Sequence, residues 1–153
     1  PYLSRGLGDV YKRQYKFNDV KMDFQDGFRE RPMVAKHRGL VTLDYESKSE
    51  KWMFNTSMQL VGKQRFPNNG QFPQDLVENH TGFSPAYALV NVQATYVFKQ
   101  FEIYIGGENL TNYTAENPII DWENPFGEYF DATQVYAPIT GTMAYVGLRF
   151  SIE

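Results

Sequence analysis

Apolar and polar positions alternate along most of the chain. Trp52, Phe54, Thr56, Met58 and Leu60 interleave with Met53, Asn55, Ser57, Gln59 and Val61, one face mostly apolar and the other mostly polar. A period of two places such residues on opposite faces of a strand, whereas a helix would scatter the apolar positions around its circumference. Tyr87–Phe98 repeats the pattern, with Ala88, Val90, Val92, Ala94, Tyr96 and Phe98 on one face and Leu89, Asn91, Gln93 and Thr95 on the other. Lys99 and Gln100 then make a tight connection into Phe101–Leu110, so the two strands read as a hairpin. A last strand is expected over Met143–Ile152, with Ala144, Val146, Leu148, Phe150 and Ile152 facing one way. An earlier one runs from about Arg38 to Glu46, with Val41, Leu43 and Tyr45 on its apolar side. The expectation is an all-β, antiparallel meander of about five strands.

The connections alternate in length. Residues 47–51 and 99–100 are short, residues 63–86 and 111–141 are long, and residues 15–37 form another long segment before the first clear strand. Short turns at one end and long loops at the other are the pattern of outer-membrane barrels, with the long loops extracellular. A soluble β-sandwich, for example a glycan-binding module, is the alternative. The two differ in the fate of the apolar faces, which meet and are buried in a sandwich but form a continuous exposed band in a barrel. Arg149, Glu108, Asn91, Gln59 and Asp44 all fall on faces a barrel would turn to its lumen. Tyr45, Trp52, Tyr96 and Phe98 lie near strand ends on the apolar faces, where an interfacial aromatic girdle is expected.

Composition narrows the choice little but excludes several chemistries. Twelve Phe, 11 Tyr and 2 Trp coexist with a mean hydropathy of -0.51, as two-faced strands require. The absence of Cys removes disulfides, thiol nucleophiles and Cys-based zinc sites. No apolar run is long enough for a transmembrane helix, but a barrel strand needs only about 9–11 residues.

Residues 1–14, PYLSRGLGDVYKRQ, show neither period and resemble a translated library-adapter tail, so they are set aside as a non-native tail. This takes Lys plus Arg from 15 to 12 and Asp plus Glu from 18 to 17, leaving -5 and arguing against a nucleic-acid partner.

The C-terminal stretch resembles TonB-dependent receptors of Gram-negative bacteria. The residues that carry the resemblance are Tyr104–Tyr113 (YIGGENLTNY), then Asn117-Pro118-Ile119-Ile120, Asn124-Pro125-Phe126-Gly127, Tyr136–Gly141 (YAPITG) and Tyr145–Phe150 (YVGLRF), with Pro32–Arg38 (PMVAKHR) upstream. The resemblance covers about residues 32–153. It implies that residues 15–153 are the C-terminal part of a 22-stranded outer-membrane barrel whose plug and earlier strands lie elsewhere. The whole receptor would import a scarce ligand, such as a siderophore, vitamin, glycan or metal complex, driven by the TonB complex through a missing N-terminal part. This piece alone would not be transport-competent. The terminal strand also resembles the signal read by the barrel-assembly machinery, with Tyr145, Gly147, Phe150 and Ile152 in the signal positions. Glu153 departs from the aromatic ending common in that family.

Loop 111–141 carries Glu116, Asp121, Glu123, Glu128 and Asp131 and no Lys or Arg. Its Tyr113, Trp122, Phe126, Tyr129 and Phe130 are the candidate contact residues for ligand or partner, because flat rings bury much area at low entropy cost. The competing reading has the loop packed on itself or on its neighbours. The acids have no EF-hand spacing, and His37 and His80 lie on separate loops with no carboxylate at ligand spacing, so no metal, cofactor or enzymatic activity is expected. Gly106-Gly107 sits within a strand and lacks the Lys-Ser/Thr of a phosphate loop; the pair is expected to let the strand bend or another backbone approach closely.

Overall fold

The structure, a computed structural model, describes residues 10–24 and 27–151. Strands β1 (Val10–Phe17), β4 (His37–Glu46), β5 (Trp52–Val61), β6 (Tyr87–Phe98), β7 (Phe101–Glu108) and β8 (Met143–Phe150) form one antiparallel sheet in the order β1-β4-β5-β6-β7-β8. A small hairpin of β2 (Lys21–Phe24) and β3 (Gly27–Glu30) makes a second sheet within the segment between β1 and β4. Among the described residues the large sheet is open, with β1 and β8 at its edges.

The meander has six strands rather than about five. The addition is β1, which falls partly within residues 1–14 and pairs with β4 from Val10↔Asp44 to Phe17↔His37. Residues 1–9 and Ile152 lie outside the described residues. The strands expected from Trp52 and Tyr87 have the bounds that alternation gave them. The strand from Phe101 stops at Glu108 instead of Leu110, because Asn109 takes the left-handed conformation at φ 49° and turns the chain.

The register sorts the side chains as the alternation demands. One rung aligns Tyr11, Leu43, Thr56, Val92, Gly107 and Ala144; the next on the same face aligns Tyr45, Phe54, Ala94, Ile105 and Val146. Arg13, opposite Val41, is the charged exception on this face. The face stays uncovered: Leu43, Ile105, Val146 and Leu148 remain 47%, 61%, 73% and 71% exposed.

Aromatic rings edge the face at both ends. Near the short turns, Trp52 lies against Phe54 and Tyr96 with centroids 5.9 and 4.7 Å apart, and Phe101 meets Phe150 at 4.8 Å. Near the long loops, Tyr15 and Phe17 flank His37 at 6.1 and 5.3 Å. His37 and Tyr45 are eight positions apart on β4, about 27 Å at the usual strand rise, which matches an apolar band about 25 Å tall between aromatic girdles.

The buried core lies in the long loops rather than on either face of the sheet. Phe66, Ala115, Tyr136 and Ala137 form it, with Met33, Tyr87 and Tyr113 against its flank. Loop 62–86 and loop 109–142 thus pack on one another above one end of the sheet. The β2–β3 hairpin joins this cap through Arg65, which donates from Nη1 to the Glu30 carbonyl at 2.9 Å and sits 5.3 Å over the Phe24 ring.

Candidate functional site

The polar face of the sheet carries a row of amides and hydroxyls. Asn55 donates to Asp44 at 2.7 Å, and Arg149 pairs with Glu102 at 2.8 Å. A cavity of about 530 Å³ lies over this face, lined among others by Lys12, Gln14, Asp44, Asn55, Asn91 and Tyr145.

Tyr145 and Gly147, two positions of the assembly pattern, make a reciprocal arrangement with β7. Tyr104 stands opposite Gly147 and Tyr145 opposite Gly106. A Cβ on either glycine would run into the facing tyrosine ring, so each ring lies flat across a glycine. The ring of Tyr145 continues past Gly106 to β6, where its hydroxyl donates to Gln93 Oε1 at 2.9 Å. The group that closes on Gly106 is the Tyr145 side chain, not another backbone as the sequence suggested. Phe150 lies on the opposite, apolar face against Phe101.

The Glu108–Tyr113 corner is built around Asn109, which is 6% exposed. Its Nδ2 donates to the carbonyls of Tyr113 and Thr140 at 2.8 and 3.0 Å, and its Oδ1 accepts from the Tyr113 N–H at 3.1 Å. Its own N–H donates to Asn91 Oδ1 at 2.9 Å, tying the corner to β6. An amide offers both donors and an acceptor on one short side chain, and Asn tolerates the left-handed conformation better than most residues.

The two long loops are held together by buried polar pairs. Asn69 and Gln134 exchange two amide hydrogen bonds, both 2.9 Å. Gln64 Nε2 and the Tyr87 hydroxyl both donate to the Tyr136 carbonyl at 3.0 Å. Each partner satisfies a group that would cost about 1–3 kcal/mol if left buried and unpaired. Burial raises the pKa of Asp131, but hydrogen bonds from Thr133 and Gln134 outweigh it and hold the carboxyl below its usual range.

The five candidate contact aromatics do not form a single patch. Tyr113 is stacked on Tyr87 with centroids 4.9 Å apart and planes 8° off parallel. Burial, reinforced by the neighbouring Tyr136, pushes its phenol up to about 12. Tyr129 is half-buried and meets Phe72 edge-on at 6.3 Å, and Phe130 lies at the margin of the cap. Trp122 and Phe126 are 61% and 101% exposed. They sit on a tip of two successive turns, in which Asn124 N–H donates to the Asp121 carbonyl at 3.0 Å and Gly127 N–H to the Asn124 carbonyl at 2.8 Å. Loop self-packing therefore claims Tyr113 and most of Tyr129, and leaves Trp122 and Phe126 at the surface.

Nothing in the sequence signals the Tyr145–Gln93 bond, the Asn69–Gln134 pair or the burial of His80. A separation of 65 residues between Asn69 and Gln134 gives no local signal.

No protein-family model matches the chain, and no curated protein matches it in sequence. Among solved structures, the fold is similar to that of the ferric-catecholate import receptor Fiu from E. coli K12, in its closed form, with a TM-score of 0.60 at 14% identity. The likeness covers 92% of this chain and 18% of that receptor. It shows a shared fold, an open antiparallel meander of the kind found in a segment of a large β-barrel.

Proposed function

We propose that the chain is a segment of a TonB-dependent outer-membrane receptor barrel that imports a scarce ligand such as a siderophore, vitamin, glycan or metal complex. The observation that carries this reading is the uncovered apolar face, about 27 Å tall and bounded by aromatic rings, set back to back with a polar, hydrogen-bonded face. In this reading the apolar face meets outer-membrane lipid, the polar face lines the lumen, and the long loops project outside the cell. The chain spans 18% of the matched receptor, so gating, ligand capture and TonB contact are properties of the whole receptor and not of this segment. The barrel-assembly machinery reads the terminal strand around Tyr145, Gly147 and Phe150 by strand addition. Trp122 and Phe126 are the most exposed of the candidate aromatics and the ones available to a ligand or partner.

The two tryptophans provide the test, since Trp52 lies in the apolar face and Trp122 on the loop tip. The chain is reconstituted into vesicles containing brominated lipid, with Trp122→Phe or Trp52→Phe isolating one indole at a time. Trp52 fluorescence is expected to be quenched by the lipid, and Trp122 only by an aqueous quencher. A monomeric fold in plain buffer with Trp52 shielded from both quenchers would replace the receptor reading with a soluble β-sandwich.

A further inference from the structure

His80 ends a 3-10 turn, Glu78–His80, in loop 62–86 and is 1% exposed. Neither ring nitrogen has a hydrogen-bond partner among the described residues. Nearly all buried polar side chains are paired, so an imidazole with two idle nitrogens stands out from the satisfied amides beside it. The ring lies 5.2 Å from Phe66, which meets Tyr136 edge-on at 5.6 Å, at the centre of the contact between the loops. The His80 carbonyl accepts from Asn69 Nδ2 at 2.8 Å, the same amide that pairs with Gln134 across the interface.

The surroundings hold the ring neutral. Desolvation lowers the His80 pKa, and the Pro118 carbonyl and Asp131 offset this only in part. Asp131, from the opposite loop, already accepts from Thr133 N–H at 2.7 Å and from Gln134 Nε2 at 3.0 Å, one bond on each oxygen. The other titratable groups nearby are Glu78 in the same turn and Tyr136 behind Phe66. The Pro118 carbonyl is the one acceptor near enough to favour the protonated ring. An imidazolium formed here could place at most one N–H on the Pro118 carbonyl, and a buried charge left incompletely paired is costly.

We propose that His80 is an acid-operated latch between the two long loops: protonating its ring drives it toward water and parts loop 62–86 from loop 109–142. The sign follows from linkage. A histidine whose pKa is depressed in the closed state binds fewer protons there than in the open state, so closure is strongest above the ordinary value near 6.5 and weakens as pH falls below it. The latch depends only on the packing of the loops and stands apart from the transport reading.

Two measurements on the full chain in detergent micelles test it. The chain has two histidines, so a nitrogen-labelled titration can follow the buried His80 ring by itself. Spin labels at the exposed positions Gln71 and Ala132, one on each loop, report whether the loops stay together. The expected result is a His80 midpoint below the ordinary histidine value of about 6.5, with a narrow interloop distance at about pH 8 that broadens and lengthens by about pH 5. Protection factors across residues 134–137, corrected for the slower intrinsic exchange in acid, should fall by up to about tenfold for each unit by which the His80 pKa is depressed. His80→Phe, which fills the site and cannot titrate, should keep the narrow distance at both pH values. A His80 midpoint at or above about 6.5 overturns the proposal, as does a wild-type distance that ignores pH or a His80→Phe chain that opens in acid as the wild type does. Should His80→Phe fail to fold, the wild-type titration and distance decide the matter together.

Discussion

At Gly147 a single hydrogen atom is the only side chain that leaves room for the ring of Tyr104. Gly147→Ala should therefore cost about 1–3 kcal/mol, the usual penalty for overpacking, as read by urea unfolding in micelles. Adding Tyr104→Ala should recover part of the loss; a double variant no more stable than the single would show that the ring is not the obstacle. Arg13 presents the opposite problem. It is the charged residue on the apolar face and stands at mid-height, opposite Val41, with its guanidinium 5.9 Å from the Tyr11 ring centroid. A cation at the bilayer midplane costs about 2–4 kcal/mol, so Arg13→Leu should stabilise the chain in lipid vesicles by that order. An unchanged folding free energy there would argue against lipid on this face.

At the level of elements, the strands were legible and the cap was not. Alternation fixes β5 and β6 because each separates an apolar from a polar face along its length: every second side chain must suit one environment, and a shift by one residue would exchange the faces. β1 escaped because Arg13 interrupts its apolar face and Val10 its polar one, which erases the period. The β2–β3 hairpin, at four residues a strand, is too short to display one. The ENLTNY corner could be recognised as a motif, but its reason, the hydrogen bonds made by Asn109, depends on groups as distant as Asn91 and Thr140. The clasp between the loops depends on pairs that no local window contains. Gln134→Ala should leave the Asn69 amide buried without its partner and weaken the clasp by about 1–3 kcal/mol. Hydrogen exchange would register this as faster opening in residues 64–84 and 131–137 with β5 and β6 unchanged; equal acceleration in the strands would mean that loops and sheet unfold as one unit.

For the whole molecule, the apolar surface and the buried core belong to different regions. The sheet keeps its large side chains exposed, while the cap buries Phe66, Ile120 and Tyr136. The chain in plain buffer should bind hydrophobic dyes and self-associate, and detergent should suppress both, since an exposed apolar face and two open edges are both adhesive. A dye-silent monomer in buffer would contradict the exposed face. Phe126→Ala should change stability by less than about 0.5 kcal/mol, because the side chain touches nothing, so any loss of ligand or partner binding in a receptor carrying it would report contact directly.

The crossed tyrosines and glycines of β7 and β8 act as a spelling check on assembly. A slip of two residues between these strands preserves which side chains face lipid, so the apolar pattern alone cannot reject it. Either such slip takes both glycines from beneath their rings and separates Glu102 from Arg149, now 2.8 Å apart. The terminal strand therefore carries, beyond its alternation, a short code that only one alignment with its neighbour satisfies.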